Sequence, residues 1–148
     1  MKLLIDTNIV LDVLLKREPF CHDAVKVMNM AQYDDIQEYI SASAVTDIYY
    51  IAYKQIRDRT LVLDLIKRLL MVVSIAAVSE QEIRNALETG WKDFEDAVQY
   101  SVALLNEMEG LVTRNPKDYE GTDINIWSPE QVLKEYVYSR AVKYAADS

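Results

Sequence analysis

Five aspartates and one asparagine carry the chemistry open to this sequence. Asp6 closes the apolar run Leu3-Leu4-Ile5, and Asp47 interrupts the nearly uncharged "AVTDIYYIAY". Asp93 and Asp96 stand three apart in "WKDFEDAVQY", and Asn115 and Asp118 flank Pro116 in "TRNPKDY". Carboxylates held within a few ångströms repel and raise one another's pKa, a cost that a divalent cation removes. Oxygen-only ligands suit Mg²⁺ or Mn²⁺ better than zinc. Such ions bridge phosphate oxygens and activate water for in-line displacement. The set reads as a centre for metal-assisted phosphodiester hydrolysis.

Each residue also has an ordinary role open to it. Asp6 can be a plain strand terminator. Asp93 and Asp96 are spaced as an N-cap and its partner, and acids suit helix starts. Asp47 falls off its helix's apolar stripe, as a solvated residue would, although aspartate is a poor helix former. Asn115 and Asp118 can shape a turn around Pro116. Only the elements that carry these residues can separate the readings.

Lys2 to Asp6 reads as a buried strand, with Asn8 as cap of the next helix. Pro19 breaks the chain, and Phe20, Ala24, Val27, Met28 and Ala31 form one apolar stripe beyond it. Ile36 to Ser41 is a second strand, and Ser43 is positioned to cap a long helix through Val45, Ile48 and Ala52. Val62 to Leu70 has a helical pattern. The β-branched run Val72, Val73, Ile75 precedes a capping box, Ser79 and Glu82, with Gly90 as a C-terminal stop. A helix follows from Phe94 to Met108, and Gly110 turns it into the strand Leu111 to Thr113. Asn125 to Trp127 is a last strand, and Ser128, Pro129 and Gln131 start the final helix.

Short apolar strands alternating with helices imply an α/β fold with a mostly parallel sheet. Residues 1–138 form a single domain, and 139–148 are a tail without clear pattern. Ligands of such sheets bind beyond the carboxyl ends of the strands. Asp6 lies on that edge, and helices antiparallel to the strands begin there. Asp47, Asp93 and Asp96 open such helices, while Asn115 and Asp118 follow the fourth strand. Six polar side chains from four remote segments converge.

Bulk properties narrow the chemistry. At 148 residues, 51% hydrophobic and with six Gly plus Pro, the chain can bury a core and is not disordered. The single cysteine, Cys21, rules out a disulfide framework and a cysteine-built zinc cluster. The one histidine, His22, reads as a first-turn residue of a helix, so triads with a histidine base have little support. A net charge of −8 argues against a simple electrostatic nucleic-acid binder. With no apolar run of membrane-spanning length, and Met1 leading straight into a strand, a cytoplasmic protein without signal peptide is expected.

"LLIDTNIVLDVLLKREPF", "ISASAVTDIYYIA", "WKDFEDAVQYSVAL" and "LVTRNPKDY", in that order, resemble the PIN-domain family. Their spacing is similar to that of the small bacterial VapC-type toxins of toxin–antitoxin pairs. The resemblance implies a Rossmann-like parallel sheet of order 3-2-1-4-5 flanked by helices, and a Mg²⁺- or Mn²⁺-dependent endoribonuclease. It places the family's first acid on Asp6, with Thr7 and Asn8 as supporting polar groups toward substrate. Its second acid, usually glutamate, falls on Asp47, and its third on Asp96, with Asp93 close by. Its fourth, often aspartate, falls on Asn115, where a charge is lost unless Asp118 compensates. Metal ligation is thus expected from Asp6, Asp96, Asp93 and Asp118. The implied partners are RNA, an antitoxin protein and a second copy in a homodimer, the last favoured by Tyr49, Tyr50 and Tyr53 on one helix.

Lys16, Arg17, Arg114 and Lys117 flank the expected site as phosphate ligands. A catalytically weakened RNA- or partner-binding module of the same fold is the alternative, favoured by Asn115 and opposed by the surviving aspartates. Aspartyl-nucleophile phosphatases rank lower, because they require an aspartate where Asn8 stands.

Overall fold

Five short strands form one all-parallel sheet in the order β3-β2-β1-β4-β5. They are β1 (Lys2–Ile5), β2 (Gln37–Ser41), β3 (Ser74–Ala76), β4 (Gly110–Val112) and β5 (Asn125–Trp127). The structure, a computed structural model, describes residues 1–119 and 121–147. The strand order is the one that the resemblance implies.

Burial on both faces explains the apolar runs Leu3 to Ile5 of β1 and Leu111 to Val112 of β4. Leu3, Leu4 and Ile5 of β1 are fully buried, and β1 aligns Leu3 with both Glu38 and Gly110. Leu3, Ile5, Ile40 and Val112 point to a core formed with α1 (Thr7–Leu14), α2 (Cys21–Asn29), α3 (Ala42–Ile56), α4 (Arg59–Leu69) and α7 (Pro129–Leu133). Leu4 and Leu111 point the other way, against α5 (Glu80–Glu88) and α6 (Phe94–Leu105). The expected stripe of α2 packs inward through Ala24, Val27 and Met28. The capping boxes Ser79/Glu82 and Ser128/Gln131 both form.

Two caps differ from expectation. Asp6 rather than Asn8 caps α1: its backbone is extended and its side chain accepts from the Thr7 amide. Ser41 rather than Ser43 caps α3, its Oγ accepting from the Ala44 amide at 3.1 Å. In both cases the helix starts at the strand's end, so the residue just before the helix, Asp6 after β1 and Ser41 at the end of β2, becomes the cap. Beyond Tyr138, where the sequence shows no pattern, the last helix continues through a π-helical stretch, Lys134–Tyr138, into α8 (Ser139–Asp147). Arg140 of α8 bonds Asp35 at 2.6 Å and lies 4.4 Å over the Tyr33 ring. Ser148, the end of the expected tail, lies outside the described residues. Among the described residues no helix is long and apolar enough to cross a membrane.

Gly110 belongs to β4 rather than to the turn before it, because it leaves room for a ring from β5. A Cβ at this position would meet the Trp127 indole, with Cε3 at 2.8 Å, and the Asn125 carbonyl at 3.1 Å. Gly110→Ala is expected to cost about 1–3 kcal/mol by overpacking, and Trp127→Leu should recover part of that loss. Urea unfolding of the single and double variants checks this. Full additivity of the two substitutions would show that the ring does not set the requirement.

Candidate metal centre

Asp6 sits where β1 gives way to α1, and three donors fix its side chain. Oδ1 accepts from the Thr7 amide at 2.8 Å and from Gln99 Nε2 at 3.3 Å, and Oδ2 accepts from Thr113 Oγ1 at 2.9 Å. Burial holds this carboxyl above the usual carboxylate range, against the pull of those hydrogen bonds and of Arg114. Gln99 and Thr113 are themselves buried, and Gln99 Oε1 has no hydrogen-bond partner among the described residues. Asp6 therefore caps a helix and is also held in a single orientation by two buried polar side chains.

The first turn of α6 faces Asp6. Asp93 is its N-cap, accepting from the Asp96 amide at 3.0 Å, so the capping role holds. Its charge also reaches Asp96, whose carboxyl is pushed up to about 6, chiefly by burial and then by Asp93, with Asp6 and Asp118 adding to the effect. Tyr119 opposes that rise by donating its hydroxyl to Asp96 Oδ1 at 3.1 Å. Burial and the neighbouring carboxylates raise the Tyr119 phenol, which keeps it a donor.

Asp47 meets this group through a residue not expected from the sequence. It shares a hydrogen bond with Glu95, which is pushed up to about 7 by burial first, then by Asp47, Asp6 and Asp93. Glu95 stands between the two recognised acids of "DFED". The only signal available was its membership in that acidic run.

Asn115 is placed differently from the acids. Its amide donates to Thr113 Oγ1 at 3.3 Å and its carbonyl accepts from the Asp118 amide at 3.1 Å, opening the 3-10 turn Pro116–Tyr119. Its side chain is exposed and makes no hydrogen bond among the described residues, so the backbone does the work seen here. Trp91, Lys92, Asp93, Asp96, Lys117 and Asp118 line an open cleft of about 410 Å³.

The residues expected to meet substrate divide. Lys117 lies in the cleft, and Thr7 is buried with its amide on Asp6. Asn8 is exposed, its Oδ1 lying 3.5 Å from Arg17 Nη1. Arg114 is not a free phosphate ligand. Its Nε lies 3.0 Å from Asp12 Oδ2 and its Nη2 3.1 Å from Asp12 Oδ1, with the guanidinium 4.2 Å over the Phe20 ring. The Asp12 side chain is fully buried, and a carboxylate there requires a counter-charge.

The donor set fits a divalent cation. Asp6, Asp96, Asp93 and Glu95 offer oxygens only, and their mutual repulsion falls when positive charge lies between them. Among the described residues, no three of these acids bring carboxylate oxygens within 4.8 Å of one another, so ligation would draw them inward. Asp96→Asn is expected to raise the melting temperature in chelator at pH 7 and to abolish the further rise that Mn²⁺ produces. The sign follows from linkage: a carboxyl raised from 3.8 to about 6 loses stability for the fold as pH rises between those values. Scanning calorimetry checks this, and an intact Mn²⁺ response in Asp96→Asn would remove Asp96 from the ligand set.

A family model described as "PIN domain" matches residues 2–117. No curated protein matches the chain at a significant level. Among solved structures, VapBC-1 from nontypeable Haemophilus influenzae is similar with TM-score 0.68 and 18% identity, over 88% of this chain and 99% of that one. A toxin–antitoxin complex from Klebsiella pneumoniae aligns with TM-score 0.64 and 23% identity, over 85% and 96%. VapC20 of Mycobacterium tuberculosis, described as a sarcin–ricin loop cleaving toxin, aligns with TM-score 0.60 and 16% identity, over 74% and 86%. At such identities these likenesses establish a shared fold.

Proposed function

The chain belongs to the PIN-domain family, and from that premise we propose that it is a Mg²⁺- or Mn²⁺-dependent endoribonuclease, the toxin of a toxin–antitoxin pair. The observation that carries the proposal is Asp6, oriented by three donors at the carboxyl edge of the sheet and facing the raised carboxyls of Asp96 and Glu95. A bound divalent cation supplies positive charge to phosphoryl oxygens and lowers the pKa of water.

The chain's own groups do the rest. Asp6 and Asp96 would hold the cation, with Asp93 and Asp118 adding charge. Gln99 and Thr113 lock the Asp6 carboxylate, and Tyr119 locks that of Asp96. Glu95, pushed up to about 7, shares a hydrogen bond with Asp47 and can take up or release a proton near neutral pH. Lys92 and Lys117 in the cleft can take the phosphates that flank the scissile bond.

An antitoxin is the proposed protein partner, consistent with the toxin–antitoxin complexes that share the fold. A homodimer is proposed through α3, where Tyr50 is 69% exposed beside Tyr49 and Tyr53. The proposed location is the cytoplasm. The exposed, uncharged Asn115 favours one second reading, an RNA- or partner-binding module with a weakened site.

Cleavage of a single-stranded, loop-containing RNA by purified protein, with Mn²⁺ and with chelator, separates the two. Cutting that depends on the metal is expected. Calorimetric Mn²⁺ binding without any cutting would favour the binding module.

A further inference from the structure

Away from the acidic cleft, three unlike ligating side chains meet where α2 begins. The Glu18 carboxylate, the Cys21 thiol and the His22 imidazole bring ligand atoms within 4.8 Å of one another. His22 Nε2 lies 3.1 Å from Glu18 Oε2. Glu18 lies in the turn before α2, and Cys21 and His22 are the first two residues of that helix.

We propose that Glu18, Cys21 and His22 form a second metal site, for a divalent ion of the zinc class. The cleft offers oxygens alone, which suit hard ions, whereas a thiolate, an imidazole and a carboxylate together select a borderline-soft ion. Three protein ligands leave the fourth tetrahedral position to water or to a group from another molecule.

The segment that carries the ligands is also held in place. The Cys21 amide bonds the Arg17 carbonyl at 2.7 Å, and the Ala24 amide bonds that of Phe20 at 3.1 Å. The Phe20 ring lies under the Arg114 guanidinium, itself paired with buried Asp12. Cys21 is at the edge of the core while Glu18 and His22 are exposed, so an ion can enter from solvent without unfolding. Binding exchanges one proton for the ion: the thiol loses its hydrogen as the sulfur–metal bond forms, and His22 binds through a neutral ring nitrogen. Without metal, burial and Glu18 hold the thiol above its usual range, so Cys21 is an unreactive thiol.

Cobalt(II) is the probe, because Cys21 is the only cysteine and a thiolate-to-cobalt charge-transfer band therefore reports this site alone. The full chain titrated with Co²⁺ is expected to develop that near-ultraviolet band, saturating at one ion per chain and displaced by Zn²⁺. Cys21→Ser should abolish it. Loss of an outer-shell partner already costs about 10–100-fold in metal affinity, so His22→Ala and Glu18→Gln should each weaken binding at least that much. Both are exposed substitutions, and far-ultraviolet circular dichroism confirms that the variants fold. Zn²⁺ should also slow alkylation of Cys21 in the wild type and not in His22→Ala. The absence of a band, wild-type affinity in both exposed variants, or saturation at one ion per two chains would each overturn the proposal.

Discussion

Asp6→Asn is expected to lower metal-dependent RNA cleavage by about 100-fold or more, as loss of a preorganised electrostatic group does, with little change in stability. The structure explains why the fold should tolerate it. An asparagine keeps one carbonyl oxygen to accept from the Thr7 amide and Gln99 Nε2, as Asp6 Oδ1 does. Its amide nitrogen then faces Thr113 Oγ1, which now donates to Asp6 and accepts from the Asn115 amide. A hydroxyl oxygen has two lone pairs and can accept from both. What disappears is the negative charge. Cleavage assays and thermal melts on the same preparation test both halves, and a wild-type rate in Asp6→Asn would reject the carboxylate assignment outright.

Glu38→Met is expected to stabilise the protein by about 3 kcal/mol at pH 7, a rise of roughly 10 °C for a chain of this size. Glu38 lies on β2 opposite Leu3 and is 2% exposed, and among the described residues neither carboxyl oxygen has a hydrogen-bond partner. Burial pushes it up to about 9 from 4.5. The folded state thus keeps a proton that the unfolded chain releases. Stability is highest below about pH 4.5 and falls by about 1.4 kcal/mol per pH unit until the group ionises near pH 9. A thioether of similar length removes both the unpartnered oxygens and this slope. Glu38→Gln removes the slope but still buries an unpartnered polar group, so it should gain less. Stability curves from about pH 5 to 9 decide the matter, and parallel curves for wild type and Glu38→Met would show that Glu38 is hydrated.

The sheet was readable because a buried parallel strand announces itself as an apolar run, as "KLLI" and "GLV" do. Caps were harder: "DTN" and "SAS" each offer several cap residues, and strand pairing chooses among them. Asp6, Asp93 and Asp96 stood out because a strand end or a helix start restricts where they lie. Glu95 did not, since its meeting with Asp47 depends on α3 and α6, helices of opposite sheet faces, both beginning at the carboxyl edge. Arg114 looked like a free cation because its partner, Asp12, lies 102 residues earlier. Glu38 sits in "QEYIS", where a charged residue suggests an open strand face, and only the helices above the sheet reveal that the face is closed.

The parallel order of the sheet has a consequence during synthesis. β1 is made long before β4, with which it pairs, and Asp6 takes its orientation from Gln99 and Thr113. Thr113 follows Asp6 by 107 residues, so at ordinary translation speeds roughly 5–20 s separate their appearance on the ribosome. Throughout that interval the nascent chain carries its key aspartate without the groups that aim it. On the proposed function, the nascent chain would be inactive over that interval, and a partner recognising earlier segments would have time to engage before the site is complete.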